Sequence, residues 1–322
     1  MTTRLGALLA AVLLSACELP WVLLETGTTA DDLRAAVVHD GALWAGTADG
    51  EILRVAEGDR DVGRFAVLDA AGGDIRRPVK GLVVGEAGRL YGWLDGALVR
   101  GQGGSLATVP PPVNALGRPE FDGWAPTALA ARDGLVLVAH RTTETARPVG
   151  TLWEGQGGSF AKAAFETGIP AQISWVAIGT DGTHWAGNGV DGEKTLFRRV
   201  NGIWSAQVDL PMSGALRVAA TGTHLFVLAE DGIHAITVAT PRTEDDGMRL
   251  SGRFTALCAA PDGRVAVVGK GRLPWFPLWV LEGSRWANVN TGTREALWGV
   301  HCGDDSRLWV VGGRGIALAE PE

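Results

Sequence analysis

The chain has 322 residues, 46% of them hydrophobic, and carries a formal net charge of −7. That acidic balance excludes sequence-independent nucleic-acid binding, which needs a basic surface to displace counterions, so no nucleic-acid partner is expected. The 46 glycines show no collagen period and 13 Trp stand against a single Tyr, a composition that suits many short strands joined by tight turns rather than helices or disorder.

The first element is an address. Residues 1–17 read MTTRLGALLAAVLLSAC, with one positive charge at Arg4, an apolar stretch over residues 5–14, and then small residues. A stretch of about ten apolar residues is too short to span a bilayer comfortably and has the shape of a secretory h-region. Its end, Leu14-Ser15-Ala16-Cys17, resembles the lipobox of bacterial lipoproteins. The resemblance implies cleavage before Cys17 and acylation of that cysteine by several chains, enough for stable anchoring. The expected division is residues 1–16 as signal peptide, 17–20 as lipid anchor and short linker, and 21–322 as the folded domain. The expected location is the bacterial cell envelope, outer membrane favoured over inner, with the lipid anchor holding the chain to the membrane. An ordinary signal peptide that happens to end in Cys is the alternative.

From residue 35 onward one phrase recurs: a β-rich run, a turn centred on Asp-Gly or a relative, and a second run. It reads AAVVHDGALWAGT from Ala35, GLVVGEAGRLYGW from Gly81, ALAARDGLVLVAH from Ala128 and WVAIGTDGTHWAG from Trp175. It returns as RVAATGTHLFVLA from Arg217, ALCAAPDGRVAVVG from Ala256 and WGVHCGDDSRLWVVG from Trp298. Seven units at blade-sized spacing predict an all-β fold, a seven-bladed β-propeller. The last unit runs out after three strands. Trp21-Val-Leu-Leu-Glu-Thr-Gly-Thr parallels Trp286-Ala-Asn-Val-Asn-Thr-Gly-Thr, the outer strand leading out of the sixth unit, so residues 21–25 are expected to supply the missing outer strand of the seventh. The stretch Asp40-Gly41-Ala-Leu-Trp44-Ala-Gly46-Thr47-Ala-Asp-Gly50-Glu-Ile-Leu-Arg54 resembles the repeat of two-component-regulator propellers and related WD40-like repeats. No transmembrane helix and kinase follow the propeller here, so a signalling role is not carried over.

Cys258 and Cys302 fall at similar places in the last two units; export makes a disulfide between them one reading and two buried thiols the other. The Trp at matching strand positions (Trp44, Trp185, Trp309; Trp153, Trp204, Trp286) are expected to be packing residues.

In an up-and-down blade the first-to-second and third-to-fourth turns share one face, and here they are short. The opposite face is elaborated, with long segments at 141–150, 188–194 and 270–278 within blades and at 69–80, 110–126 and 240–252 between them. Length variation on one face marks it as the expected binding face. Candidate contacts there are Trp275 and Phe276, with Trp124, Arg76, Arg77 and Arg141, joined by Lys80 and Arg147 in a cationic rim. The Glu244-Asp245-Asp246 run lacks the alternating ligand spacing of a calcium loop. The His residues do not cluster, and no Ser sits in a nucleophile elbow, so no catalytic set, metal site or cofactor is expected. Of polar residues near the inner strands, only His39, Arg132 and His301 stand out. The reading is a non-catalytic envelope lipoprotein whose loop face binds a protein or glycan; the alternative is a lyase-, hydrolase- or lactonase-type enzyme working at the central channel.

Overall fold

The computed structural model describes residues 21–24, 26, 32–56, 62–69, 71–102, 105–121, 124–141, 150–156, 158–166, 173–187, 195–209, 217–230, 232–238, 243–244, 250–270 and 277–321. Seven antiparallel sheets follow one another around a central axis, each with its first strand innermost. The inner strands are Leu33–His39, Val79–Val84, Pro126–Arg132, Trp175–Ile178, Arg217–Ala220, Phe254–Ala259 and Leu297–Cys302, here numbered as those of blades 1 to 7. The chain is a seven-bladed propeller, as its repeats predict.

The turns between first and second strands are where the recurring Asp-Gly phrase acts. Asp40 and Gly41 have φ of 51° and 67°, and Asp133 and Gly134 have 50° and 81°. Left-handed conformation at both central positions matches the twist of the flanking strands, and Asp tolerates it better than most residues with a Cβ. Asn201-Gly202, the hairpin turn of blade 4, adopts it too, at 50° and 84°.

The ring closes with its two ends in one blade. Val22–Leu23 pairs antiparallel with Ala317–Ala319, in the register Val22 to Ala319 and Leu23 to Leu318. The Leu24 amide continues the ladder to the Ala317 carbonyl at 2.9 Å, and Thr26 Oγ1 donates to the Gly315 carbonyl at 2.8 Å. The sequence parallel holds in space: Thr26 and its counterpart Thr291 are both buried. Glu25 lies outside the described residues. Because the third strand of blade 7 ends on the short-turn face, Val22 starts there.

Five of the inner strands share an irregularity. Their register slips around the second residue: Arg34, Lys80, Thr127, Thr255 and Trp298. A bulge leaves one residue out of the ladder and re-aims its side chain. At two of these positions the side chain ties a blade to the next: Thr127 Oγ1 donates to the Ile173 carbonyl at 3.1 Å, and Thr255 Oγ1 to that of Leu297 at 2.7 Å. Three pairings among the described residues lie outside the simple blade pattern, one of them Leu250–Ser251 against the third strand of blade 5. The linking segments Val67–Leu68 and Ala164–Phe165 add parallel strands to the outer edges of blades 2 and 4, covering edges that would otherwise be open.

Core packing runs between blades. Trp185 and Trp204 are fully buried in a cluster that spans blades 3, 4 and 5. Where an indole is buried its N–H needs an acceptor; Trp204 Nε1 donates to Glu154 Oε1 at 2.8 Å, and the same carboxylate takes a bidentate pair from Arg199. That network joins blades 3 and 4. Cys258 and Cys302 are joined by a disulfide across the inner strands of blades 6 and 7, with their Cα atoms 5.7 Å apart.

Candidate functional site

Three places on this scaffold have the geometry to meet another molecule: one end of the channel, its opposite end, and a loop on the elaborated face.

The channel holds a cavity of about 1320 Å³. Its walls are the later halves of the inner strands, among them Val37, Leu82, Leu129, Val176, Val218 and Leu257, and its mouth is formed by the short turns that follow. The mouth is charged. His39 Nε2 is 3.2 Å from Asp40 Oδ2, and Arg132 Nε is 3.8 Å from Asp133 Oδ2. Asp305 Oδ1 accepts from the Arg307 amide at 3.0 Å, while the Arg307 guanidinium lies over Trp309 at 5.0 Å and donates to the Glu320 carbonyl. His301 lines the cavity between these groups. Burial lowers its pKa to about 4, outweighing the opposite pull of Asp304 and Asp305, so its imidazole is neutral at physiological pH. His39, Arg132 and His301 thus meet at one rim. Asp40, Asp133, Asp304 and Asp305 complete it; in the sequence they read as turn formers.

The other end is occupied by side chains. Arg217 of blade 5 lies 5.7 Å over the ring of Trp93 in blade 2, a contact between non-adjacent blades that crosses the axis. Burial pulls the Arg217 pKa below its usual value, and the indole face offsets part of that cost. Trp93 can lie there only because Gly81 is beside it: a Cβ at Gly81 would fall 1.8 Å from Trp93 Nε1. Nearby, Trp298 of blade 7 carries the Arg34 guanidinium at 4.6 Å and the Lys270 ammonium at 5.9 Å. None of the residues that open the inner strands lines the cavity.

On the elaborated face the predicted contact residues have varied fates. Trp275, Phe276 and Arg147 lie outside the described residues, as do Asp245 and Asp246. Trp124 is not a surface anchor: it is 3% exposed and packs edge-on against Phe121, Trp153, Phe160 and His140. Its Nε1 donates to the Pro110 carbonyl at 3.3 Å, so its role is to fasten the link over residues 109–125 to blade 3. Two members of the expected cationic rim are paired with carboxylates. Arg76 pairs with Asp74 at 3.5 Å, Lys80 pairs with Asp95, and Arg77 donates to the Asp95 carbonyl at 2.6 Å. Arg141 is exposed.

What the sequence did not single out is the tip of that same link. Val113 and Leu116 are 64% and 80% exposed. They are held on a tight hairpin: the Asn114 amide bonds the Arg118 carbonyl at 2.8 Å, and Asn114 Oδ1 accepts from the amides of Leu116 and Arg118 at 2.9 and 3.1 Å. A Val113–Pro119 bridge closes its base, and Phe121, stacked on the buried His140 at 4.1 Å, roots it. The signal was present as Pro-Pro-Pro-Val-Asn-Ala-Leu-Gly-Arg-Pro, stiff at both ends with turn formers between.

No family model matches this sequence, and no curated protein matches it. Solved structures do match over nearly its whole length. A catalytically inactive virginiamycin B lyase from Staphylococcus aureus with quinupristin is 12% identical, with a TM-score of 0.64, covering 94% of this chain and 99% of that one. The extracellular domain of a hybrid two-component system from B. thetaiotaomicron is also 12% identical, with a TM-score of 0.63, covering 93% of this chain and 39% of that one. YCF48 bound to D1 peptide is 13% identical, with a TM-score of 0.62, covering 94% and 95%. At such identities the likeness is one of fold. The propeller architecture is shared by an enzyme, a sensor domain and a peptide-bound protein.

Proposed function

We propose that this chain is a non-catalytic, lipid-anchored protein of the bacterial envelope, held by Cys17, whose elaborated face docks a protein partner. The observation that carries this reading is the hairpin bearing Val113 and Leu116. Two exposed aliphatic side chains on a loop fixed by its own hydrogen bonds lose little freedom on binding, which is how a contact anchor gains affinity. An aliphatic tip suits an apolar recess in a protein better than a glycan, which calls for polar partners. The hairpin lies opposite the face on which Val22 begins, so an acylated Cys17 would leave the hairpin pointing away from the bilayer. No helix among the described residues is long and apolar enough to cross a membrane. The peptide-bound YCF48 shows that a propeller of this shape can serve protein recognition.

The test is a photo-crosslinking residue at position 116 in cells. It is expected to trap one discrete adduct, absent when the crosslinker replaces Val200 on the opposite face. With the crosslinker moved to position 113, Leu116→Asp should abolish the adduct while leaving stability within about 0.5 kcal/mol. Cys17→Ser should release the protein from the membrane fraction. No adduct at position 116, or retention of Cys17→Ser in membranes, sinks the corresponding half of the proposal.

A second reading, an enzyme at the channel, draws on one observation: a neutral His301 on the cavity wall beside Asp304 and Asp305. It requires turnover that His301→Gln removes.

A further inference from the structure

We infer that the central channel is a second binding site, a cup with one mouth, which takes the end of a polypeptide: an apolar tip followed by basic residues.

Four features point the same way. First, among the described residues the channel is blind. The Arg217–Trp93 contact crosses the axis at the far end, Trp298 with Arg34 and Lys270 fills the neighbouring sector, and the cavity lining stops short of that layer. A segment cannot be threaded through; only an end or a compact molecule fits. Second, the cavity is roomy. Its volume of about 1320 Å³ exceeds the ~300–1,000 Å³ of ordinary small-molecule pockets, so several residues fit inside. Third, every blade presents the outer edge of its innermost strand to the axis. Strand edges offer main-chain N–H and C=O groups, the natural complement of an extended peptide.

The fourth feature is charge. The walls at mid-depth are apolar, while the rim carries Asp40, Asp133, Asp304 and Asp305 against the two guanidiniums of Arg132 and Arg307. His301 contributes no charge near neutral pH. Carboxylates therefore outnumber guanidiniums at the rim, and a low-dielectric funnel focuses such a field on whatever enters. A peptide with its apolar residues at the leading end and lysines behind it would place each where it is matched. The mouth is on the face where Val22 begins, opposite the Val113–Leu116 hairpin, so under the proposed anchoring it opens on the side turned toward the bilayer.

The whole protein in detergent is titrated into acetyl-Leu-Val-Leu-Ser-Lys-Lys labelled with fluorescein at its lysine end, and anisotropy is read. Saturable binding is expected, weakened about tenfold when both lysines are replaced by glutamate. Adding ten Gly-Ser residues ahead of the leucine should weaken it at least as much, because the floor stops the tip. Asp304→Asn with Asp305→Asn should reduce affinity for the lysine peptide and flatten its salt dependence. Trp93→Ala, checked for an unchanged circular dichroism spectrum, should recover binding of the extended peptide. Absence of saturable binding, equal binding of lysine and glutamate peptides, or equal binding of the extended peptide to the unaltered protein overturns the inference. None of these outcomes bears on the hairpin, which is read separately at position 116.

Discussion

His301 shows how one side chain couples the channel to stability. Its folded-state pKa of about 4 lies below the ordinary 6.5, so the unfolded chain takes up the proton first as pH falls. The contribution is fully present above pH 6.5 and is lost progressively down to pH 4, amounting to about 3 kcal/mol over that window. His301→Gln should therefore show a flatter stability profile between pH 7 and 5, measured by denaturant unfolding; identical slopes would mean the imidazole is solvated. Trp124 carries the opposite lesson about residues. An aromatic in a Pro-rich link reads as an exposed anchor, but nothing in the sequence reveals that Phe121, His140 and Trp153 converge to enclose it. The exposed Leu116 could not be read for the same reason: exposure belongs to the neighbours, which are set by long-range packing.

Elements were more legible. Strand pairs and their turns are local, so Asp40-Gly41, Asp133-Gly134 and Asn201-Gly202 declare themselves through positive φ and a two-residue loop. The parallel strands Val67–Leu68 and Ala164–Phe165 were not legible, since they lie in links whose partners are decided by the blade next door. The disulfide between inner strands links elements 44 residues apart in sequence. Closing a loop of that length restricts the unfolded chain by about 4 kcal/mol on the loop-entropy estimate. Cys258→Ala with Cys302→Ala should lower the melting temperature by roughly 8 °C or more, given ~2–4 °C per kcal/mol for domains of this size. A shift below ~2 °C would mean that the two strands hold blades 6 and 7 together without it.

For the whole molecule, the repeat count and the sharing of blade 7 between its first and last strands were readable because the Trp21 and Trp286 phrases share their Trp and the Thr-Gly-Thr that follows, and a propeller must seal its edge. The channel's closed end was not: Arg217 and Trp93 lie three blades apart, and no local pattern pairs them. Leu24 is buried between Leu33, Leu43 and the last strands. Removing residues 21–26 should expose the edge at Ala317–Ala319, cutting unfolding stability by at least about 4 kcal/mol and promoting self-association by strand pairing, read by chemical denaturation and light scattering. An unchanged midpoint would show that the ring survives open.

That shared blade also sets a timetable. The strand at Val22–Leu23 finds its partner at Ala317–Ala319, so no shorter stretch of the chain can complete the circle and six blades must wait beside an unfinished seventh. Sealing is thereby deferred until both strands are present in one compartment, and contacts of such long sequence separation make the final step slow.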